Sequence, residues 1–430
     1  MPLIKKISPG RLIVLGFALV IIMGTILLML PISLNEGVKI SFIDALFTST
    51  SAVCVTGLIA VDTADTFNVF GRTLVAMLIQ VGGLGVTSVG VGFILLAGKK
   101  ISIKGRKIIK EAMNLESMKG LVKIVKAVLL MTLLFELVGV ILSYIVFSQD
   151  YEPLKALGIS VFHSIAAFNN SGFDILGGLQ NLIPYQSNVL LNLTTCFLII
   201  FGGLGFLVIK EIFEKKSFKK FCLHTKIVLL MTTLLLIVGT ILLKMTENIS
   251  WLGAFFFSTS ARTAGFSTYN LGTFTNAGLF TLVILMFIGA SPGSTGGGVK
   301  TTTAFIIAKS LYANSTNKHS GAFKRKFPVS VIWKAFNLMI LAFLVVIIGT
   351  FILCILEPQS SFMQLLFEVT SAFGTVGLST GITPHLASLS KFVIVLIMFI
   401  GRLGPITMAT IWYQKKLPEA RYSEESVIIG

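Results

Sequence analysis

The sequence predicts an all-α polytopic membrane protein in which four pseudo-repeats of helix, re-entrant pore helix and helix surround one central pore. Three observations predict this fold class. Only 12% of the 430 residues are charged and 54% are hydrophobic, whereas soluble domains carry about 25% charged residues. Several apolar runs approach or exceed the roughly 20 residues that a helix needs to cross a bilayer. A shorter apolar segment also recurs four times, once in each outward connection between these runs.

The basic residues predict how the chain is oriented in the membrane. Of the 35 Lys and Arg residues, 27 lie in five segments, at 1–11, 98–126, 210–226, 309–334 and 415–421. Cytoplasmic segments of membrane proteins carry an excess of Lys and Arg. The five segments are therefore predicted to be cytoplasmic, with an even number of crossings between them and both termini inside. The net charge of +17 thus reports orientation, and no nucleic-acid partner is predicted.

Two long apolar runs separate each basic segment from the next, which gives eight spans in four outward hairpins. The first run is too long for a signal-peptide core, so it is kept as a span. The predicted spans are 12–32, 71–97, 122–147, 187–209, 226–245, 277–309, 333–356 and 389–413. The predicted units are repeat 1 with the N-terminal tail (1–97), repeat 2 (122–209), repeat 3 with a broken last helix (226–311) and repeat 4 (333–413), joined by cytoplasmic connections at 98–121, 210–225 and 312–332 and followed by a cytoplasmic tail at 414–430.

The four outward connections contain the internal repeat. Each begins with an apolar segment that is too short to span, at 41–58, 157–173, 251–266 and 362–378. About 12 helical residues cover only about 18 Å, so each segment is predicted to enter the membrane, stop near its middle and return as irregular backbone. Every segment ends in Gly followed by Leu or Phe, with a Phe ten residues before the Gly: Phe47 and Gly57, Phe162 and Gly172, Phe255 and Gly265, Phe367 and Gly377.

The four glycines predict a cation filter. Irregular backbone inside a membrane is tolerated where protein covers it or where it lines a wet cavity, and glycine accepts the dihedral angles that aim carbonyls at an axis. Rings of backbone carbonyls replace the water around a dehydrated cation. Packing or turn roles explain a single such Gly equally well, but four at one spacing favour the filter. The predicted ion ligands are Val55, Thr56, Gly57, Asn170, Ser171, Gly172, Thr263, Ala264, Gly265, Thr375, Val376 and Gly377.

Three features modify this filter. Asp62, Asp65 and Asp174 follow the glycines, where an outer mouth that attracts cations would have them. The third loop lacks one residue between Ser260 and Gly265 relative to the fourth loop, and it carries Arg262, which is predicted to pair with an acid or with carbonyls behind the filter. Asn170 is predicted to contribute its carbonyl, with its side chain bonded to loop backbone.

The sixth span is interrupted in its middle, which predicts a gate. Proline removes a backbone donor, and each glycine costs up to about 1 kcal/mol in a helix, so this stretch is predicted to unwind. Unwound backbone must face a cavity or protein, and directly under the filter it would be a mobile obstruction in the ion path. Lys300 and Arg402 are intramembrane cations that need partners. The predicted gate residues are Gly289, Ala290, Ser291, Pro292, Gly293, Ser294, Thr295, Gly296, Gly297, Gly298, Lys300 and Arg402.

These segments resemble the superfamily of K⁺ transporters that joins the Ktr and Trk membrane subunits and the plant HKT proteins. The chain is most similar to the bacterial Ktr membrane subunit. The most specific matches are the four filter loops, MFIGASPGSTGGGVKTTT at 286–303 and MFIGRLGP at 398–405, and the fourth loop has the TVG that begins the TVGYG filter of potassium channels. In this family a Ser in place of the first filter Gly goes with Na⁺ permeation; here that position is Gly57.

The resemblance implies K⁺ uptake across the bacterial plasma membrane through one channel-like pore per chain, with an intramembrane gating loop. It also implies a homodimer and a cytosolic RCK-type ring that binds nucleotide, so nucleotide acts only through the partner. K⁺ is the transported ion and Na⁺ a candidate activator. Candidate contacts with the ring are 98–126, 210–226 and Glu419–Gly430, while contact of the same lysines with anionic membrane lipid stays open.

Other functions are weighed against the pore. An ion-coupled secondary transporter for a monovalent cation also uses broken helices, although such proteins usually show two inverted halves. GSTGGGVKT at 293–301 fails as a phosphate-binding loop because Val299 is inserted before Lys300. The GGLG motifs at 82–85 and 202–205 are predicted to allow close helix packing. The four histidines are scattered and no catalytic constellation is found, so an enzyme is not predicted.

Overall fold

The computed structural model describes residues 9–86, 88–90, 105, 121–410, 423, 425 and 428. Within these residues the chain is mainly helical, and the predicted fold class is confirmed. Four long apolar helices each open a repeat and are long enough to cross a membrane. They are α1 (Pro9–Met29), α5 (Leu121–Phe147), α9 (Leu223–Thr246) and α13 (Val329–Leu356).

A shorter helix follows each long one. Three of these helices begin with a serine whose side chain accepts a hydrogen bond from the third residue of the helix, which satisfies a backbone donor at the helix start. The second begins with Pro153 instead. These pore helices are α2 (Phe42–Val53), α6 (Pro153–Phe168), α10 (Trp251–Ser260) and α14 (Phe362–Gly374).

The second helix of every repeat is broken, whereas the sequence predicted a break only in the sixth span. The four helices are α4 (Val69–Leu84), α7 (Val189–Leu204), α11 (Asn276–Phe287) and α15 (Ser388–Leu403). Three of them end at Leu before a glycine with φ of 83° to 93°, at Gly85, Gly205 and Gly404. Such dihedrals cannot continue a helix and are easily adopted only by glycine. The signal for these breaks was the shared Gly-x-Leu-Gly spacing at 82–85, 202–205 and 401–404, since a Leu-Gly pair alone also lies inside α1 at Leu15 and Gly16.

After the breaks the chain resumes as helix in a new direction. Helix α8 (Phe206–Lys215) lies at 97° to α7, and α16 (Pro405–Thr410) follows Gly404. In the third repeat α12 (Thr301–Ser315) begins only after the irregular residues 288–300. The sequence prediction of an interrupted sixth span therefore holds, and it applies in milder form to the other three repeats.

The four repeats share one packing arrangement. A Cβ added to Gly24 of α1 would overlap Ser49 of α2 and lie 2.8 Å from Leu78 of α4. The same relation joins Gly139 to Ser164 and Leu198, Gly239 to Ser258 and Leu285, and Gly349 to Val369 and Ile397. Glycine is needed on each long helix because the pore helix and the second helix both approach it closely.

This arrangement corrects one detail of the internal repeat. In each repeat a Phe lies two residues before the pore-helix residue that packs against the glycine of the long helix. These residues are Phe47, Phe162, Phe256 and Phe367, so Phe256 and not Phe255 is the equivalent residue in the third repeat. Phe256 is fully buried, whereas Phe255 is only partly buried. In the sequence, Phe255 lies ten residues before Gly265 only because the third loop is one residue shorter and Phe255 immediately precedes Phe256.

Short elements complete the described chain. Helix α3 (Thr63–Thr66) follows the first filter loop, and strands β1 (Gly321–Ala322) and β2 (Arg325–Lys326) form an antiparallel hairpin that pairs Gly321 with Lys326. The hairpin lies in the predicted connection 312–332. Of the predicted connection 98–121 only residues 105 and 121 are described, and of the tail 414–430 only residues 423, 425 and 428.

Candidate functional site

The four predicted filter loops meet in a closed ring. A Cβ added to any of the four filter glycines would lie 2.5 Å or less from the carbonyl oxygen of the residue before the next glycine. The contacts run from Gly57 to Ser171, from Gly172 to Ala264, from Gly265 to Val376 and from Gly377 to Thr56. The loops therefore surround one axis in the order of the repeats, and no side chain larger than hydrogen fits at these positions without displacing the neighbouring loop.

The backbone of all four loops has the same alternation of dihedral angles. In each loop φ is positive at the filter Gly and also two residues before it, at Val55 (56°), Asn170 (59°), Thr263 (83°) and Thr375 (50°). A β-branched residue such as Val55 rarely adopts positive φ, and each such residue costs about 1–3 kcal/mol that the surrounding structure must offset. Strain repeated at one position in four loops indicates a functional backbone arrangement.

Serine side chains at the ends of the pore helices hold the loops in place. Ser51 Oγ accepts from Gly57 N at 3.0 Å and donates to Leu58 O at 2.8 Å. Ser371 Oγ likewise accepts from Gly377 N at 3.0 Å. In the third repeat Ser260 Oγ donates to Phe266 O at 2.6 Å, although it is one residue nearer to its glycine. Ser260 thus corresponds to Ser51 and Ser371, and the predicted missing residue lies between Ser260 and Gly265.

The side chains of Asn170 and Arg262 both have hydrogen-bond partners within the protein. The Asn170 amide lies 3.1 Å from Thr263 Oγ1, and its other end faces the carbonyl oxygens of Ala167, Phe168 and Ile199 at 3.2–3.3 Å, so its side chain is occupied by the protein. Arg262 is buried and its guanidinium reaches the carbonyl and hydroxyl of Thr232 on α9 at 3.5 and 3.4 Å. Within the described residues Arg262 therefore pairs with a carbonyl behind the filter and not with an acid.

The predicted gate loop, residues 289–300, crosses from repeat 3 towards repeat 2. Ser291 N donates to Gly203 O at 3.0 Å, and Thr295 N and Oγ1 donate to Gly202 O at 3.3 and 3.2 Å. Gly293 O accepts from Phe206 N at 3.2 Å. The carbonyls freed by the break after α7 are thus satisfied by the loop, as backbone at membrane depth requires.

The glycines of the loop lie against the filter. Gly297 N donates to Thr375 Oγ1 at 2.8 Å. An added Cβ would overlap Thr263 at Gly296 and Thr375 at Gly297, and it would lie 3.2 Å from Gly374 at Gly298. Because Thr263 and Thr375 are the first filter residues of repeats 3 and 4, the loop is positioned directly beside the inner end of the ring.

Arg402 and Lys300 have different partners. Arg402 donates to the carbonyl oxygens of Thr295 in the loop and of Gly82 at the end of α4. Lys300 Nζ donates to Gly296 O at 2.6 Å and Gly297 O at 3.2 Å. Arg402 therefore joins the loop to repeats 4 and 1, whereas Lys300 only folds the loop on itself. Together with the bonds to repeat 2, the loop is attached to all four repeats.

The first glycine of each GGLG motif has the predicted packing role, and the last glycine of each motif forms the break described above. A Cβ at Gly82, Gly202 or Gly401 would overlap the carbonyl oxygen of Val53, Phe168 or Phe373 at the end of a pore helix. The second helices thus press directly on the residues that lead into the filter. The packing prediction covered Gly82 and Gly202, and Gly401 extends it to repeat 4.

Several buried polar residues near the filter were missed by the sequence reasoning. Glu368 on α14 accepts from Ser379 Oγ (2.7 Å), Thr380 N (2.9 Å) and Thr383 Oγ1 (2.7 Å). It therefore fixes the chain just after the fourth filter loop. An acid in an apolar pore helix is unusual enough to have been a signal.

Two more buried groups join different repeats. Asn169 Nδ2 donates to Gln80 Oε1 at 2.7 Å and to Glu136 Oε1 at 3.1 Å, which connects repeats 1 and 2 beside the filter. Lys391 Nζ forms a 2.7 Å ion pair with Asp44, which closes the ring between repeats 4 and 1. Neither pairing follows from sequence spacing, because the partners are distant in the chain.

The acids predicted for the outer mouth are held by the protein. Asp62 Oδ2 accepts from Leu179 N at 2.7 Å, and Asp65 Oδ2 accepts from Gly178 N at 3.1 Å. Asp174 is buried and accepts from Leu176 N and Asn181 Nδ2, both at 3.0 Å. All three lie past the glycines as predicted. Asp62 and Asp65 also tie the connections of repeats 1 and 2 together, whereas Asp174 bonds within repeat 2.

In the candidate docking segment 210–226, the carboxylate of Glu211 accepts hydrogen bonds from several neighbouring groups. Burial alone would raise the pKa of Glu211, but hydrogen bonds from Cys222 Sγ, Lys215 Nζ, Thr225 and Cys222 N lower it to about 2. This carboxylate stays ionised and connects α8 to the start of α9. Most of the candidate segment 98–126 and of Glu419–Gly430 lies outside the described residues.

Comparisons with known proteins agree with this geometry. Residues 12–425 match the TrkH family, described as cation transport protein. The chain is 37% identical to Ktr system potassium uptake protein B of Bacillus subtilis, over 99% of this chain and 97% of that protein. It is 38% identical to potassium/sodium uptake protein NtpJ of Enterococcus hirae, over 99% and 98% of the two chains. These relatives bear the names of transport proteins and not of enzymes.

A solved structure shares the fold. The crystal structure of the potassium transporter TrkH from Vibrio parahaemolyticus matches with a TM-score of 0.74 over 95% of this chain and 86% of that chain. At 18% sequence identity this likeness shows the common fold alone, and it agrees with the fourfold architecture.

Proposed function

The chain belongs to the TrkH family of cation transport proteins, and we propose that it takes up K⁺ through a channel-like pore whose filter is formed by the four glycine loops. It is a multi-pass membrane protein, and we place it in the plasma membrane with both termini in the cytoplasm. K⁺ is the cargo. The names of the relatives, which specify potassium uptake or potassium and sodium uptake, support K⁺ as the ion.

One observation carries this proposal: the closed ring of loops with the same dihedral alternation in each. Alternating left-handed and ordinary dihedrals direct successive carbonyls to one side of the chain, here the axis. The ion ligands are then the backbone oxygens of the twelve filter residues named above, with the carbonyls of Thr56, Ser171, Ala264 and Val376 nearest to the neighbouring loops. No carboxylate is required at the axis.

The loop 289–300 is the gate in this proposal. It is attached to all four repeats at the inner end of the ring, so an ion that leaves the filter must displace it. Three of its bonds to the other repeats join backbone groups, and the others involve the side chains of Thr295, Thr375 or Arg402. A neutral hydrogen bond contributes about 1 kcal/mol net, which a partner or ligand can outweigh. Arg402 stabilises the closed position through Thr295 and Gly82.

The filter is tested by Gly57→Ser and Gly377→Ser. Flux of K⁺, Rb⁺ and Na⁺ through the purified protein in liposomes should show a lower K⁺ preference over Na⁺ in both variants, because a side chain at either position meets a carbonyl of the next loop. The matched control is Gly381→Ser, since Gly381 has a φ of 94° against 96° for Gly377 but no atom near its Cβ position. Wild-type selectivity in both filter variants would end the single-filter proposal.

Regulation is assigned to a partner. We propose a homodimer that docks on a cytosolic RCK-type ring, with nucleotide bound by the ring and with Na⁺ as activator. Reversal of Lys104, Arg106 and Lys107 to Glu should weaken co-purification with the ring while the dimer survives. Full ring binding after both that reversal and deletion of Arg421–Gly430 would show that docking lies elsewhere, and loss of binding to anionic vesicles alone would assign these lysines to lipid.

The runner-up function is ion-coupled secondary transport of a monovalent cation. The observation in its favour is that all four second helices are broken, since transporters hold ions at unwound backbone. Coupled transport would make K⁺ uptake depend on the gradient of a second ion, whereas a pore passes K⁺ down its own gradient in vesicles without one. Flux measured with and without an imposed Na⁺ gradient separates the two.

A further inference from the structure

Asn181 lies in the outer connection of repeat 2 and contacts two filter loops with one side chain. Its Nδ2 donates to Gly172 O at 3.1 Å, the carbonyl of the second filter glycine. Its Oδ1 accepts from Ser267 N at 3.0 Å, two residues past the third filter glycine, and from Leu182 N at 3.0 Å. The amide is therefore used at both ends to hold loops 2 and 3 together at the outer side of the ring.

The second hydrogen of the same Nδ2 group goes to an acid. Asn181 Nδ2 donates to Asp174 Oδ2 at 3.0 Å, and Asp174 Oδ1 accepts from Leu176 N at 3.0 Å. A primary amide has two N–H donors, so the positions of Gly172 O and Asp174 Oδ2 together fix its orientation. The carboxyl of Asp174 thus lies one hydrogen bond away from a group that holds a filter carbonyl.

We propose that Asn181 is a positioning residue of the filter that sets the direction of the Gly172 carbonyl. This inference rests on the proposed filter function. The Nδ2 bond to Gly172 O holds the second loop, and the bond from Ser267 N to Oδ1 holds the third loop beside it. The bond to Asp174 keeps the amide in this orientation. Without the Asn181 donor, Gly172 O is free to turn, which lowers the preference for K⁺ over Na⁺.

The first experiment is the isosteric variant Asn181→Asp. It keeps an acceptor for Ser267 N and Leu182 N but has no donor for Gly172 O, and Asp tolerates the left-handed φ of 51° at this position. Loss of one net hydrogen bond corresponds to about a fivefold change in an equilibrium. We therefore expect the K⁺ to Na⁺ flux ratio in liposomes to fall by about fivefold. Asn181→Gly provides a second measurement of the flux ratio if the Asp variant fails to fold, because glycine also adopts this positive φ.

The second experiment exchanges the two side chains. The double variant Asn181→Asp with Asp174→Asn restores a bond between an amide and a carboxylate at these positions but leaves Gly172 O without its donor. We expect thermal stability to recover towards wild type while the K⁺ to Na⁺ ratio stays low. A purely structural role would make both recover together, and that result would overturn the positioning role.

These outcomes separate this inference from the proposed function. Absence of K⁺ preference in the wild type, or unchanged selectivity in Gly57→Ser and Gly377→Ser, would overturn both. A K⁺-selective wild type with an unchanged ratio in Asn181→Asp would overturn only the role of Asn181.

Discussion

The third repeat differs from the other three at two places, although all four share one frame of long helix, pore helix and second helix. Its filter loop is one residue shorter between Ser260 and Gly265. Its second helix is interrupted by the irregular residues 288–300, where repeats 1, 2 and 4 turn at a single glycine. Gly289, the first residue of the predicted gate, lies four residues after Leu285, as Gly82, Gly202 and Gly401 lie four residues after Leu78, Leu198 and Ile397. A Cβ at Gly289 would however meet Gly297 O of the loop and not the carbonyl at the end of a pore helix.

This comparison separates what the pore needs from what its control needs. A ring around an axis requires four equal loops, and the packing of Gly24, Gly139, Gly239 and Gly349 supplies four equal frames. A gate requires asymmetry, because one element must reach the others. The break already present in each second helix offers a place to insert such a loop without disturbing the filter, and only the third repeat uses it.

Deletion of Ser294–Gly298 should have the largest effect. It removes the bonds of Thr295 to Gly202 and of Gly297 to Thr375, so the third repeat becomes more like the others and fewer atoms obstruct the path. Basal K⁺ flux in liposomes should rise by about tenfold or more, as expected for a shift of about 1.4 kcal/mol or more in a closed state. Unchanged or lower flux, with normal expression and thermal stability, would count against gating by this loop.

Replacement of Arg402 by Ala should have the next largest effect. Hydrogen bonds from a charged group contribute about 1.5–3 kcal/mol, and Arg402 is the side chain that joins the loop to repeats 4 and 1. We expect basal flux to rise by about tenfold, which corresponds to the lower end of this range. Lys300→Ala is the comparison variant, because Lys300 bonds only to the loop; an equal rise in both would show that loop folding, and not attachment to the other repeats, keeps the pore closed.

The glycine breaks allow a matched pair with a smaller effect. Gly205→Ala and Gly85→Ala introduce the same backbone strain, since φ is 93° and 83°. A Cβ at Gly205 would lie 2.8 Å from Pro292 O, whereas no atom of the described residues lies within 4 Å of a Cβ at Gly85. Both variants should lower thermal stability by about 1 kcal/mol or more. Only Gly205→Ala should change basal K⁺ flux, by a few fold. A similar flux change in Gly85→Ala would mean that the break itself, and not its contact with the loop, affects gating.

The smallest expected effect is a difference in stability between two Phe variants, which tests the alignment of the third repeat. Phe256→Leu should cost about 1 kcal/mol of stability, because Phe256 is fully buried at the position of Phe47 and Phe367. Phe255→Leu should cost less, since Phe255 is only partly buried. Thermal unfolding of the two variants measures the difference, and a larger loss for Phe255→Leu would contradict the alignment of the third repeat.

The hydrophobic pattern and the composition of the sequence predicted much of this structure. Long apolar runs bounded by basic segments predicted the four long helices, because a bilayer demands length and apolarity that few other structures need. Gly57, Gly172, Gly265 and Gly377 were identified as one set from their shared context, and the structure brings them into one ring. The interrupted sixth span was also evident, since Pro292 and its neighbouring glycines cannot continue a helix.

Only the tertiary structure decided which distant groups meet. The sequence by itself determined four loops and one gate segment, but the positive φ of Val55 and Thr263 depends on neighbouring loops that hold these residues in a strained conformation. The partners of Arg402, and the bonds of Asn181 to two filter loops, join positions far apart in the chain, and spacing carries no information about such pairs. Local propensity fixes where a helix begins and ends, whereas closure of the ring fixes what each loop contacts.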